Sequence, residues 1–198
     1  MGAFLLRYCT KLFAMSSLGN ASGTIALIFI LASTTAAQQA EVNWMSLEEA
    51  VAAQQDEPRK IVMDVYTQWC GPCKMMMSRT FTNQQVIDYM NANYYSVKFD
   101  AESPNPVQFK GKTFENPGWK QNVRGRNSPH QLSRALNVNA YPTLVYLDEN
   151  ADVIAPISGY KTPPQLEMYL KFFVEKFDGD VVQAEWEAYR DSFQPTFQ

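Results

Sequence analysis

Two cysteines, Cys70 and Cys73, with Gly-Pro between them, are the residues whose types and spacing most clearly predict chemistry. They lie in residues 69–74, which follow the apolar run 61–66 and precede a Met-rich stretch with helical character. If the run is a buried strand and the stretch a helix, the cysteines lie at the helix's first turn, where Pro72 fits because its missing N–H would have no partner. Unpaired N–H groups and the helix dipole favour a thiolate there, and thiolates attack disulfides. The pattern therefore predicts a reactive thiol pair.

Such a cysteine pair has two alternative interpretations. Zinc sites also contain Cys-x-x-Cys, but a structural zinc ion needs four protein ligands. Beyond the pair the chain has one more cysteine, Cys9, and one histidine, His130, so no metal site is expected. The other alternative is a pair of inert core cysteines. The Gly-Pro between them argues against it, because Gly-Pro marks an exposed turn.

Residues 1–37 have the pattern of a secretory signal peptide. Arg7 and Lys11 provide a positive start, residues 25–32 an apolar stretch, and residues 34–37 the small side chains that a signal peptidase accepts. The apolar stretch is shorter than the roughly 20 residues that span a bilayer. The sequence therefore predicts an exported protein, periplasmic or extracellular, without a permanent membrane anchor. An uncleaved N-terminal anchor is the alternative.

Removal of residues 1–37 changes the composition of the chain that remains, residues 38–198. Lys plus Arg falls from 17 to 15 while Asp plus Glu stays at 20, so the formal charge goes from -3 to -5. A mildly acidic chain of this length suits one domain and argues against nucleic-acid binding. The two remaining cysteines both belong to the motif, which leaves none for a structural disulfide and favours exchange chemistry.

The sequence resembles the thioredoxin family. Trp-Cys-Gly-Pro-Cys-Lys at residues 69–74 resembles that family's active site, and Tyr141-Pro142-Thr143 resembles its proline segment. The resemblance implies an α/β thioredoxin fold, with a central mixed sheet flanked by helices. It covers about residues 43–177, except for residues 101–127, which are interpreted as an insertion before the proline segment. A helical C-terminal extension is expected over about residues 179–198.

The resemblance also implies roles for individual residues. Cys70 and Cys73 would form the redox-active disulfide. Pro142 would be cis and face the cysteines, while the residue before it would offer its backbone to an extended substrate. The expected substrate-binding residues are Trp69, Gly71, Pro72, Tyr141 and Pro142.

Asp64 interrupts the apolar run 61–66. A buried carboxylate is costly unless it is paired or neutral, so its presence needs a reason. In the thioredoxin pattern an acid six residues before the first cysteine lies beneath the second and helps its proton transfer, and Asp64 has this spacing from Cys70. Lys98 matches a lysine that neighbours that acid, which gives it a supporting role. The alternatives are a solvent-facing Asp64 and an ordinary surface Lys98.

Local patterns predict where helices and strands begin. Continuous apolar character predicts a central parallel strand at 61–66. Capping boxes predict helix starts at Ser46, Thr82 and Thr162, and Ser128 followed by Pro129 predicts another. A lone histidine such as His130 is more often structural than catalytic. Further strands are expected at 94–100, 144–147 and 152–157, and a last helix within 181–193.

Residues 101–127 are too long for an unstructured loop in a compact domain. Residues 107–109 and 112–114 around Lys110-Gly111 predict a small hairpin. If strands 61–66 and 94–100 run parallel, both end at the edge that carries Cys70. The segment would then stand beside the active site, shaping the substrate groove or binding a partner. A packed decoration without a role is the alternative.

The predicted function is thiol–disulfide oxidoreduction, in the direction that reduces protein disulfides in the cell envelope. The sequence contains no flavin or nicotinamide site, so no cofactor is expected, and a membrane-bound thiol reductase would supply electrons. The oxidase and isomerase directions remain open, because the Gly-Pro spacer alone does not fix the potential. The alternative from another class is a non-catalytic thioredoxin-fold binding module or chaperone.

Overall fold

A five-stranded mixed sheet forms the centre of the protein. The computed structural model describes residues 40–177, 179 and 183–198, so the predicted signal peptide lies outside these ranges. The spatial order of the strands is β1-β3-β2-β6-β7; β1 and β2 pair parallel with β3, and β6 runs antiparallel to β2 and β7. The sheet strands are β1 (Trp44–Met45), β2 (Lys60–Tyr66), β3 (Tyr94–Asp100), β6 (Thr143–Leu147) and β7 (Val153–Ser158). A separate hairpin consists of β4 (Val107–Phe109) and β5 (Lys112–Phe114), as the sequence predicted.

Six α-helices accompany the sheet in the described ranges. They are α1 (Leu47–Asp56), α2 (Gly71–Met75), α3 (Gln84–Asn93), α4 (Gln131–Ala135), α5 (Pro163–Glu175) and α6 (Gln183–Ser192), and a π-helical turn, Met76–Thr80, continues α2. The capping boxes predicted at Ser46 and Thr162 are both present. Among these helices, none is both long and apolar enough to cross a membrane. The fold is thus a mixed sheet with helices, as predicted.

Two of the predicted helix starts are wrong. α3 is capped by Asn83, whose Oδ1 accepts hydrogen bonds from the N–H groups of Gln85 (3.0 Å) and Val86 (3.1 Å), while the Thr82 hydroxyl donates to the carbonyl of Ser78. α4 is capped by His130 rather than Ser128. In both cases a side chain one or two residues further along satisfies the first free N–H groups.

β2 is the buried centre of the sheet. Successive side chains of a strand point to opposite faces, and both faces of β2 are covered by apolar side chains. Ile61 and Met63 pack in a cluster with Leu47 of α1, and Val62 packs in a second cluster with Met76 of the π-helical turn. Burial on both faces explains the continuous apolar run that predicted this strand.

The last residues of the chain are hydrogen-bonded to Glu167, a fully buried acid of α5. Its Oε2 accepts hydrogen bonds from the backbone N–H groups of Thr196 (2.7 Å) and Phe197 (2.8 Å), and its Oε1 accepts one from Lys171 Nζ (2.6 Å). Burial raises the pKa of Glu167, but these hydrogen bonds outweigh it, so the net pKa lies below its ordinary value. The carboxylate therefore joins the tail to α5.

Glu167→Gln is expected to lower the free energy of unfolding by about 2 kcal/mol, because the amide loses the charge and turns a donor toward the tail N–H groups. Urea unfolding at neutral pH measures this. Glu175→Gln, an exposed position on the same helix, is the control and should stay within about 0.5 kcal/mol of wild type. Equal changes in the two variants would contradict the role of Glu167.

Candidate active site

Cys70 and Cys73 are joined by a disulfide at the start of α2. Cys70 is the N-cap residue, and its Sγ accepts a hydrogen bond from the backbone N–H of Cys73 at 3.1 Å. The Cα atoms are 5.3 Å apart. Pro72 lies in the first turn, where no N–H is needed. The predicted position between strand and helix is confirmed, and an amide already points at the sulfur where a thiolate would form.

The cysteines are less exposed than the sequence predicted. Only 2% of each residue is accessible, whereas Trp69, Gly71 and Pro72 around them are exposed. The predicted exposure therefore applies to the Gly-Pro turn and not to the two cysteines. A Cβ added at Gly71 would meet no atom within 4 Å, so the open surface lies on the turn.

The proline segment meets the motif from the other side. The peptide bond between Tyr141 and Pro142 is cis, as the resemblance implied. The Tyr141 and Trp69 rings lie edge to face with centroids 6.0 Å apart. The ladders of β6 begin at Thr143, so the backbone of Tyr141 lies just before them. Two of the predicted binding elements, distant in sequence, therefore adjoin each other.

Asp64 lies inside the sheet and does not face solvent, so that alternative is wrong. It is 1% exposed, and neither carboxyl oxygen has a hydrogen-bond partner in the part of the chain that the structure describes. Burial raises its pKa to about 7, although the positive charge of Lys98 opposes the shift. Lys98 is its register partner on β3. Asp64 is thus poised to change protonation near neutral pH.

A cavity of about 220 Å³ lies between Cys73 and Lys98, the register partner of Asp64. Cys73, Lys98 and Tyr66 are among the residues that line it, and Lys98 Nζ lies 5.0 Å from the centre of the Tyr66 ring. Lys98 is half-buried here. By strand alternation Asp64 shares the face of Val62, which packs with Met76 on the helical run that begins after Cys70.

The 101–127 segment adjoins the motif, as the parallel pairing of β2 and β3 predicted. Trp69 Nε1 donates a hydrogen bond to Glu102 Oε1 at 2.9 Å, and the Arg126 guanidinium lies 4.4 Å from the centre of a Trp69 ring. No local sequence pattern pointed to Glu102. The register, which pairs Tyr66 with Asp100, could have placed it near the residues that follow Tyr66.

His130 is structural, as expected for a lone histidine. It is fully buried; its Nδ1 accepts a hydrogen bond from the N–H of Leu132, and its Nε2 lies 3.1 Å from the carbonyl oxygen of Asn105, to which it donates. Burial lowers its pKa, although the bond to Asn105 opposes the shift. The neutral ring therefore joins α4 to the 101–127 segment.

Comparisons with known proteins agree with this geometry. A family described as thioredoxin-like domain matches residues 46–173. Thioredoxin C-3 of Corynebacterium nephridii is 27% identical over 61% of this chain and 62% of its own length. The chloroplastic F-type thioredoxin of Spinacia oleracea is 28% identical over 77% of this chain, and the match spans 61% of that protein.

The fold comparison points the same way. A thioredoxin-fold protein from Helicobacter pylori superposes with a TM-score of 0.52 at 16% identity, covering 73% of this chain and 96% of that one. Identity this low supports the fold alone. The family match is stronger evidence, because it covers more than half of the chain, including the cysteine pair and Pro142. The chain therefore belongs to the thioredoxin-like domain family.

Proposed function

We propose that the protein is a thiol–disulfide oxidoreductase that reduces protein disulfides in the cell envelope. The observation that carries this proposal is the Cys70–Cys73 disulfide at the start of α2 in a thioredoxin-like domain. No second cysteine pair in residues 38–198 could serve as the redox centre, since the motif holds both cysteines of that range.

In the proposed cycle the Cys70 thiolate attacks one sulfur of a substrate disulfide. A mixed disulfide forms, and the other substrate sulfur leaves as a thiolate that takes a proton from water. Cys73 then loses its proton and attacks the Cys70 sulfur, which releases the second substrate sulfur as a thiol. Two electrons have passed to the substrate, and Cys70 and Cys73 are left as the disulfide.

Asp64 is the proposed proton acceptor for Cys73. A group whose pKa is about 7 can take up and release a proton near neutral pH at little cost. Its position on the face of β2 that packs against the helical run of Cys73 supports this role. Lys98, which lines the cavity beside Cys73, would support Asp64 by stabilising the ionised carboxylate.

The substrate would bind as an extended chain across the exposed turn. Trp69, Gly71 and Pro72 offer open surface beside the sulfurs, and the backbone of Tyr141 precedes the β6 ladders where an added strand could pair. Pro142, buried and cis, would hold that backbone in place. These contacts would position a substrate disulfide against Cys70.

The reducing direction and the location form part of the proposal. The Gly-Pro spacer resembles that of reducing thioredoxins, and the pattern of residues 1–37 supports export. In an oxidising envelope a membrane-bound thiol reductase would have to return two electrons to the pair. A measured reduction potential of about −270 mV would support this direction, whereas one of about −120 mV would make the protein an oxidase.

A trapping experiment tests the proposed chemistry. The reduced Cys73→Ser variant, mixed with insulin, is expected to accumulate a covalent adduct through Cys70, because the serine cannot resolve the mixed disulfide. Mass spectrometry measures the adduct, and dithiothreitol should reverse it. Cys70→Ser is the control and should form little adduct. If Cys73→Ser forms none, the oxidoreductase proposal is wrong and a binding module or chaperone becomes the better hypothesis.

A further inference from the structure

One side of the groove at Trp69 is built by residues far along the chain. A cavity of about 440 Å³ opens there, and Trp69, Tyr141, Asn139 and Arg126 are among its lining residues. Its lining thus contains Trp69, which precedes Cys70 in the sequence, and Tyr141, the residue before the cis-proline. A substrate chain that occupies this cavity would lie beside the Arg126 side chain.

The charged side chains around this cavity differ in the partners that they already have. The Asp100 carboxylate accepts hydrogen bonds from Gln68 Nε2 (3.1 Å) and from the N–H of Glu102 (3.0 Å), and the Glu102 carboxylate accepts one from Trp69 Nε1. Both acids are half-buried and already have donors. Arg126 is exposed and forms no salt bridge within residues 40–177, 179 and 183–198. Glu102 and Arg126 both line the cavity: the carboxylate of Glu102 is hydrogen-bonded to Trp69, whereas the Arg126 guanidinium is the lining cation that forms no salt bridge within the described ranges.

The loop that carries Arg126 is held in place. The Asn127 side chain binds the backbone of Lys120 twice, accepting from its N–H at 3.0 Å and donating to its carbonyl at 2.8 Å. The buried Asn116 donates to the carbonyls of Ser103 and Ser128 and so closes the base of the segment. The Arg126 guanidinium carbon then lies over the Trp69 ring, 4.4 Å from its centre, a cation–π contact that restrains the side chain beside the cavity. A preformed guanidinium loses little entropy when it binds a carboxylate.

We propose that Arg126 is a specificity-determining residue that binds an acidic side chain of the substrate polypeptide close to its disulfide. This inference rests on the proposed oxidoreductase function. The guanidinium presents a planar pair of donors, which matches the two oxygens of a carboxylate. Exposed Arg–carboxylate pairs are modest, so the effect is a preference of about fivefold and not an absolute requirement.

Peptide disulfides test this preference directly. The probe is a short peptide whose single cysteine carries a 2-thiopyridyl disulfide, made in three versions with Glu, Gln or Lys flanking the cysteine. The reduced protein attacks the peptide, and the released pyridine-2-thione absorbs light. Each rate constant is divided by that of 2-mercaptoethanol with the same peptide, which removes the intrinsic effect of the flanking charge. Wild type is expected to prefer the Glu peptide over the Gln peptide about fivefold.

Variants of Arg126 should change that ratio. Arg126→Gln is expected to bring the Glu-to-Gln ratio to about one, and Arg126→Glu should make the Lys peptide the best substrate. Arg124→Gln, at an exposed position on the same loop outside the cavity lining, is the control and should keep the wild-type ratio within about twofold. High salt should reduce the wild-type preference.

Three outcomes would overturn the role of Arg126 while leaving the oxidoreductase proposal intact. They are equal normalised rates of wild type on all three peptides, an equal loss on all three in Arg126→Gln, and the same change in Arg124→Gln as in Arg126→Gln. The last would mean that only the net charge of the loop matters. Failure of the proposed function is distinguishable, because reduced wild type would then react with no peptide faster than Cys70→Ser.

Discussion

Cys70→Ser is expected to reduce the rate of insulin disulfide reduction with dithiothreitol by roughly a thousandfold or more, to the level of dithiothreitol alone. Serine has no sulfur with which to form a mixed disulfide, and its hydroxyl is not ionised at neutral pH, so the first step of the cycle is lost. The fold should remain, because serine is among the best N-cap residues and its Oγ can accept the Cys73 N–H that Sγ accepts now. Turbidity of the precipitating insulin chains measures the rate.

A serine-to-alanine change nearby provides the control for this experiment. Ser78→Ala alters an exposed hydroxyl on the π-helical turn that continues α2, so its activity should match wild type within about twofold. Circular dichroism of Cys70→Ser would establish that a lost activity is not lost folding. Retention of wild-type activity by Cys70→Ser would remove the enzymatic proposal altogether.

Asp64→Asn is expected to be more favourable for the stability of the oxidised protein at pH 8 than at pH 5. The free energy of unfolding of the variant minus that of wild type should be about 2 to 3 kcal/mol larger at pH 8. The folded-state pKa of Asp64 is about 7, raised from 3.8, so folding favours the protonated form. The wild type consequently loses stability as pH rises from about 4 through about 7. Asparagine does not ionise, so the variant escapes this loss. Urea unfolding across this pH range measures both proteins.

The change with pH is the informative quantity in this experiment. An asparagine amide in a site without hydrogen-bond partners adds a cost of its own, but that cost does not depend on pH. Asp56→Asn, at an exposed acid ending α1, is the control and should alter stability equally at both pH values. A pH-independent difference for Asp64→Asn would mean that the carboxyl titrates normally and is not a proton acceptor tuned to neutral pH.

Features governed by neighbouring residues could be predicted from the sequence. Continuous apolar character located β2, because burial on both faces removes alternation. The β4–β5 hairpin followed from Lys110-Gly111, and both residues have positive φ angles, 49° and 72°, as a tight hairpin turn requires. The Cys-Gly-Pro-Cys run located the start of α2 for a similar local reason.

Features decided by distant contacts could not be predicted in this way. The Gln85 side chain, expected to complete a capping box with Thr82, instead binds the backbone of residues 196 and 198, and Asn83 takes over the cap. The position of Arg126 over the Trp69 ring brings together chain segments that are remote in sequence. No local pattern encodes such contacts.

The segment between β3 and α4 divides into a buried part and an exposed part. Val107 and Phe109 are buried in the same apolar cluster as β2, and Asn116 is buried beneath the loop, whereas residues 117–126 are all exposed. Substitutions confined to residues 117–126, whether natural or engineered, could therefore change which substrate proteins are preferred. Transfer of residues 117–126 into another protein would have to include the buried residues Val107, Phe109 and Asn116, which hold the segment on the domain.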